Sequence, residues 1–182
     1  LNFTIPVFLG NVFQQLYSMA DAVIVGKFVG TKGLAAVGAT GTITFLIIGF
    51  LMGVTTGVTV LTSQKFGAGR MDEMRKTVGN AAILSVVIAV VMTAVSMLGM
   101  HRLLVFMHTP EDIFDGAYGY IMIICAGIFT QVLYNLVSSI LRALGNSKTP
   151  LYFLILAAVL NIVLDLVFII FFHWGAPGAA WA

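Results

Sequence analysis

Five long apolar stretches, separated by short polar segments, organise this chain of 182 residues. They cover residues 3–26, 34–63, 77–98, 114–144 and 150–172. Each provides the roughly 20 apolar residues that an α-helix needs to cross the hydrocarbon core of a bilayer. None shows the alternation of apolar and polar residues that the strands of a membrane barrel require. The pattern therefore predicts an all-α polytopic membrane protein with five transmembrane helices.

The composition supports the same class of protein. The chain is 60% hydrophobic and only 9% charged, which leaves too little polar surface to cover a soluble domain of this size. The net charge of +2 and the scattered basic residues do not favour nucleic acid as a partner. The chain starts inside an apolar stretch, and another element begins near residues 175–178. We therefore expect residues 1–182 to form one helical lobe, including the start of a sixth helix, of a longer protein.

The basic residues of the connections predict how the spans are oriented. Six of them follow the second and fourth spans, whereas three follow the first and third. Loops that are rich in Lys and Arg usually stay in the cytoplasm. We therefore expect a cytoplasmic N-terminus, with the first and fifth spans running outward.

Two aspartates lie inside apolar stretches, whereas the other five acidic residues lie in or beside the connections. Asp21 follows Pro6 by fifteen residues, and Asp165 follows Pro150 by the same number. At 1.5 Å per residue, each carboxylate lies about 22 Å along its helix from its own proline. An ionisable group at membrane depth is costly and usually serves binding or transport. The two positions make a shared site in the outer half of the bilayer possible.

Other polar residues accompany the aspartates at helical spacing. Gln14 and Tyr17 share a helix face with Asp21, and Asn161 stands one turn before Asp165. The fourth span carries a further polar stripe, which consists of Gln131, Asn135, Ser138 and Arg142. The first three of these, together with Gln14 and Tyr17, are expected to line a substrate cavity. Carboxylate, amide and hydroxyl oxygens can bind a hard cation such as Na⁺, and a desolvated carboxylate can take up a proton. The residues do not decide between these two chemistries, and single amides and hydroxyls also serve to hold membrane helices together.

Small residues and turn residues predict local structure. Gly49, Gly53 and Gly57 form a stripe on the second span, which indicates close helix packing. The threonines of this span are expected either to bond to backbone carbonyls or to line a polar side. Gly145 suits the left-handed position that ends a helix, and Pro150 suits the first turn of the next helix.

Taken in order, several of these segments resemble the N-terminal part of a MATE (multidrug and toxic compound extrusion) transporter, closest to its DinF-like branch. The matching segments are Gln-Gln-Leu-Tyr-Ser-Met-Ala-Asp at 14–21 with Val-Gly at 25–26, Leu-Ala-Ala-Val-Gly at 34–38, Gln-Lys-Phe-Gly-Ala-Gly at 64–69, Leu-Arg-Ala-Leu-Gly-Asn at 141–146, Asn-Ile-Val-Leu-Asp at 161–165 and Gly-Ala-Ala-Trp-Ala at 178–182. Each segment alone is weakly specific, but the ordered set extends over essentially the whole chain.

The resemblance implies a twelve-span antiporter of two six-helix lobes in a bacterial or archaeal cytoplasmic membrane. Such a protein exports organic cations and other amphiphiles in exchange for Na⁺ or H⁺, and this chain would meet the C-terminal lobe of the same polypeptide. Asp21, Asn161 and Asp165 match the family's cation site, and Asn135 matches an asparagine of the substrate cavity. Pro6 would let the first helix bend. No catalytic residue, cofactor or metal is implied beyond the coupling ion.

A mechanism follows from these matches. Entry of a cation or proton would neutralise Asp21 and Asp165, remove their attraction for a cationic substrate and change the helix packing around them.

Three other functions are compatible with parts of the pattern. A lipid-linked oligosaccharide flippase of the same superfamily would need a larger and more cationic cavity. An intramembrane aspartyl protease also uses two membrane aspartates, but Asp21 follows Ala20 rather than the tyrosine found in such enzymes, and Asp165 lacks their preceding glycines. A purely structural membrane subunit would leave both carboxylates unexplained. We therefore expect a transporter and not an enzyme.

Overall fold

The computed structural model describes residues 4–182, so Phe3, where the predicted first span begins, lies outside the described residues. Residues 4–182 form helices and no strand, which confirms the expected all-α fold. The helices are α1 (Thr4–Ile24), α2 (Thr31–Gly67), α3 (Met71–Phe106), α4 (Glu111–Ala143), α5 (Lys148–Leu166) and α6 (Gly175–Trp181), and the π-helical turns Val25–Val29 and Val167–Phe171 extend α1 and α5.

Within residues 4–182, four helices are long and apolar enough to cross a membrane: α2, α3, α4 and α5 with its π-helical turn. The 21 residues of α1 include Gln14, Gln15 and Asp21, which lower the mean hydropathy of that helix. Large apolar side chains face outward, among them Leu98 with 83% of its surface exposed. Such a surface is suited to lipid rather than water. The chain is therefore a multi-pass membrane protein.

Most helices extend beyond the predicted spans. The third helix, for example, begins at Met71 rather than at residue 77. The bilayer limits the apolar part of a helix, but the backbone hydrogen bonds continue through the interface into water. Asp72 and Glu73 stand in the first turn of α3, where negative charge is favourable. Lys65 pairs with Glu73 across the turn between α2 and α3, and this contact lowers the pKa of the Glu73 carboxyl group.

The turn between α4 and α5 forms as its residues predict. Gly145 has a φ of +85°, which confirms the expected left-handed position after α4. Pro150 lies in the first turn of α5, where its missing N–H costs no hydrogen bond. The Asn146 amide donates to the Thr149 hydroxyl at 2.9 Å, and the Thr149 N–H donates back to the Asn146 side chain at 3.1 Å.

Packing divides the helices into two groups. The larger group is α2, α3 and α4, whose shared core includes Leu51, Met100 and Ile121. The second group is α1 packed along α5. The π-helical turns and α6 join the two groups, since Val25 packs with Ile169 and α6 packs against α4. The face between the groups leaves room for a cavity.

The glycine stripe of α2 does not pack as expected. Gly49, Gly53 and Gly57 are exposed, and no described atom lies within 4 Å of a Cβ added at any of them. Helix α2 meets its neighbours through a different face, which carries Ile43, Ile47 and Leu51. The close helix packing predicted for these small residues is therefore not formed among residues 4–182.

Candidate functional site

The carboxyl groups of Asp21 and Asp165 meet where α1 packs against α5. They lie within hydrogen-bonding reach of each other. Gly10 of α1 faces α5, where an added Cβ would lie 3.6 Å from the Leu154 side chain. Asp165 is fully buried, and Asp21 is half-buried. The structure thus brings together the two aspartates for which the sequence made a shared site possible.

The oxygens around this pair lack hydrogen-bond donors. Among the described residues, Asp21 Oδ1, both carboxyl oxygens of Asp165 and Asn161 Oδ1 are buried without a partner. Buried acceptors without donors are costly, and two adjacent carboxylates also repel each other. A proton shared between the carboxyl groups, or a cation bound by these oxygens, would relieve both costs. The arrangement is therefore chemically suited to take up either one.

Tyr120 of α4 is an additional member of this site that the sequence did not indicate. It lies near enough to Asp21, Asp165 and Tyr17 for their charges to act on its hydroxyl group. The available signal was its spacing, because Tyr120 stands eleven residues, or about three turns, before Gln131. A tyrosine in a membrane helix has many other uses, so the spacing alone did not single it out.

A cavity of about 1220 Å³ lies beside the carboxyl pair. Helices α1, α2, α4, α5 and α6 contribute to its wall. Of the residues that the sequence analysis assigned to the cation site, the substrate cavity or helix bending, those that line the cavity are Pro6, Gln14, Tyr17, Gln131, Asn135 and Asn161. Gln14 and Tyr17 line it from one face of α1, and the Asn135 amide donates to the backbone carbonyl of Gln131 at 2.8 Å. Neither Asp21 nor Asp165 is part of the wall.

Ser138 does not line the cavity, contrary to expectation. It lies on the same helical stripe as Gln131 and Asn135, but packing leaves only 3% of its surface exposed. Ser139, the next residue, is part of the wall instead. Helical spacing predicts which residues share a face, but it does not predict which neighbour covers that face.

The wall also contains residues to which the sequence analysis gave other roles. Arg142, a predicted end of the polar stripe, lines the cavity, as do Thr55, Thr56 and Thr59 of α2. These threonines realise both alternatives predicted for them, because each also donates its hydroxyl to a carbonyl of its own helix. Hydroxyls bonded in this way offer acceptor lone pairs to the cavity.

Comparisons with known proteins agree with this architecture. The family model described as MatE matches residues 6–167 of the chain. The chain is 33% identical over 180 residues to the probable multidrug resistance protein YpnP of Bacillus subtilis (strain 168), an alignment that covers 99% of this chain and 40% of that protein.

Two solved structures give the same result. A MOP superfamily transporter from Pyrococcus furiosus superposes with a TM-score of 0.93 at 29% identity, covering 98% of this chain and 39% of that one. An outward-facing multidrug resistance MATE family transporter of the same superfamily also gives 0.93 at 29% identity, with 98% and 40% covered. The chain thus spans about 40% of the length of these relatives. Because the family model matches most of its residues, the chain belongs to the MatE (multidrug and toxic compound extrusion) family.

Proposed function

We propose that this chain provides the cation-binding lobe of a secondary active transporter, which exports small organic molecules in exchange for Na⁺ or H⁺. The observation that carries the proposal is the buried pair of Asp21 and Asp165, whose oxygens lack donors. Asn161 would supply a further oxygen from one turn before Asp165. Tyr120 would hold the pair in place from α4.

Binding of the coupling ion would affect the substrate cavity through the packing of α1 against α5. Neither carboxylate is part of the cavity wall, so the attraction for a cationic substrate that the sequence analysis also predicts would act from a distance. Asn161, in contrast, both lines the cavity and stands beside Asp165. Loading the site would remove repulsion between α1 and α5, and the wall that these helices form would change shape. A ligand shifts a conformational equilibrium only by binding its two states unequally, and the carboxyl pair provides that difference.

Pro6 supports this route. It lines the cavity in the first described turn of α1, and it has no backbone N–H that could bond to the preceding turn. A bend of α1 at Pro6 would move Tyr17 and Asp21 together relative to α5. The bending role remains a prediction.

The protein would reside in the cytoplasmic membrane of a bacterium or archaeon, with its N-terminus inside. The basic residues at the α2–α3 and α4–α5 turns support this orientation. The greater length of the relatives supports a C-terminal lobe of the same polypeptide as the partner that would complete the cavity. The flippase alternative is not favoured, since two curated relatives, at 33% and 30% identity, are named probable multidrug resistance proteins.

The test is efflux of a fluorescent organic dye from vesicles that hold the full-length protein, with Na⁺ and pH gradients imposed separately. We expect efflux under one gradient and at least a tenfold loss in Asp165→Asn, which removes the ionisable group but keeps the shape of the side chain. Asp115→Asn, the same change at an exposed residue near the start of α4, serves as the matched control. Normal coupled efflux in Asp165→Asn would refute the proposal.

A further inference from the structure

The charges around the cavity indicate a substrate class. All seven acidic residues of the chain lie within residues 4–182, and none of them is part of the cavity wall. Of the nine basic residues, Arg142 alone lines the cavity. The remaining polar side chains of the wall carry amides, hydroxyls and the indole N–H of Trp181. In this lobe the wall therefore carries positive charge and no negative charge.

Arg142 is available to a ligand. It lies near the end of α4, and its side chain is exposed. The ion pairs among the described residues are those of Lys32 with Asp112 and of Lys65 and Arg70 with Glu73, and none of them includes Arg142. An arginine without a carboxylate partner presents a planar fork of donors, which matches a carboxylate or phosphate group.

A second polar group stands at the same end of the cavity. Ser147, at the start of α5, lines the wall with only 5% of its surface exposed, and its side chain makes no capping hydrogen bond to that helix. The apolar residues Leu151 and Leu154 of α5 continue the wall away from this end. A ligand that complements this wall has an acidic group at the end near Arg142 and Ser147 and an apolar body beside Leu151 and Leu154.

We propose that Arg142, assisted by Ser147, binds the acidic group of an amphiphilic substrate, a carboxylate or a phosphate. The inference rests on the proposed function, because it assigns this cavity to the transported molecule. It replaces the organic cations implied by the family resemblance with acidic or zwitterionic amphiphiles as the preferred class. The alternative interpretation is that Arg142 binds no substrate. It would then only stabilise the end of α4, by interacting with the dipole of that helix and with the membrane surface.

Equilibrium binding to the purified full-length protein tests the proposal without any ion gradient. The probes are two xanthene dyes that differ only in a free carboxylate or its methyl ester, followed by fluorescence anisotropy. We expect tighter binding of the acid by the unmodified protein. Arg142→Gln should weaken acid binding about tenfold, as expected for loss of a charge-assisted hydrogen bond, and leave ester binding within about twofold.

Two further variants separate the binding role from the anchoring role. Arg142→Lys keeps the positive charge but loses the planar fork, so acid binding should fall between the values of the other two proteins. Lys148→Gln removes a basic residue close by that is exposed and does not line the cavity, and it should change neither affinity. Displacement of the acid dye by benzoate or by a short-chain phosphatidic acid then distinguishes a soluble acid from a lipid headgroup as the source of the anionic group.

Equal weakening of both dyes in Arg142→Gln would overturn the proposal, as would unchanged acid binding or a preference of the unmodified protein for the ester. Failure of the proposed function has a different result, because dye efflux would then respond to neither gradient while the preference for the acid persisted.

Discussion

At Asp165, a fully buried carboxyl group meets a second carboxyl group and no hydrogen-bond donor among the described residues. The cost of this arrangement depends on what occupies it. With a bound proton or cation the oxygens gain a partner, whereas without one the repulsion from Asp21 acts across a region of low polarity. Occupancy of the site is therefore linked to the stability of the whole helix group.

This linkage predicts how the coupling ion affects thermal unfolding. A ligand that binds only the folded state stabilises it by about 2.7 kcal/mol at a concentration 100 times its Kd. Raising Na⁺, or lowering the pH if the proton is the coupling ion, should raise the Tm of the full-length protein in detergent. Asp165→Asn should lose this increase and Asp115→Asn should keep it. Equal increases in both variants would place the ion elsewhere.

Tyr120 leads to a second prediction about a single side chain. Tyr120→Phe removes only a hydroxyl group near both carboxyl groups. We expect this hydroxyl to donate to the pair when the coupling ion is bound, a hydrogen bond to a charged group that is typically worth about 1.5–3 kcal/mol, so the half-saturating concentration of the ion should rise about tenfold or more. Tyr118→Phe is the matched control, because that ring stacks on Phe114 with centroids 6.3 Å apart. An unchanged ion dependence in Tyr120→Phe would remove Tyr120 from the site.

Single residues differ in how well the sequence indicates their role. Asp21 and Asp165 stand out because a charge inside an apolar stretch has few structural uses. Tyr120 does not stand out, since aromatic residues are common in membrane helices. Arg142 is one of the six basic residues that follow the second and fourth spans, and basic residues at span ends usually set membrane orientation. Only the three-dimensional wall shows that its side chain faces a cavity.

Packing between helices determines which of these side chains meet. The contact between α1 and α5 includes a small residue, Gly10. At Gly10 an added Cβ would touch Leu154 at 3.6 Å, which is ordinary van der Waals contact. Gly10→Ala should therefore be tolerated, whereas Gly10→Leu should separate the helices and the two carboxyl groups. Overpacking of this kind costs about 1–3 kcal/mol.

The measurement for this pair is ion-driven dye efflux by the full-length variants, with the amount of inserted protein as the reference. We expect a loss of at least tenfold in Gly10→Leu at normal insertion. Gly99→Leu makes the same change on the exposed side of α3, where no described atom lies within 4 Å of an added Cβ. Equal activity of the two leucine variants would show that close packing of α1 on α5 is not required.

Element ends were predictable only where special residues mark them. The turn after α4 follows from Gly145 and Pro150, whose conformational preferences are local. Gly30, with a φ of +88°, marks the end of the π-helical turn after α1, but no such residue indicates that either turn is π-helical. Their distinguishing bonds, from the Gly30 N–H to the Val25 carbonyl and from the Phe172 N–H to the Val167 carbonyl, accompany packing of Val25 against Ile169. Packing between distant segments selects them, so a linear pattern cannot reveal them.

In the whole molecule, the hydrophobic pattern predicts the helices but not their grouping. Stretches of about 20 apolar residues are recognisable one at a time. The separation into α2–α3–α4 and α1–α5 depends on which faces fit together, as the exposed Gly49, Gly53 and Gly57 demonstrate. The cavity arises from that grouping, which is why its residues were predicted only in part.

Orientation is the remaining property of the whole molecule, and it leads to a prediction that labelling can check. Cys125 is the only cysteine of these 182 residues and is fully buried. Cys125→Ala, with any cysteines of the remaining polypeptide also replaced, gives a background without thiols. In that background, a cysteine replacing Arg102, near the end of α3, should react in intact cells with a maleimide that cannot cross membranes. A cysteine replacing Arg75, near the start of α3, should react only after the cells are opened. Both sites are exposed, so access from one side of the membrane is the difference that the label reports. The reverse pattern would place the N-terminus outside. Arg142, near the turn between α4 and α5, would then lie on the exterior side of the membrane rather than on the cytoplasmic side.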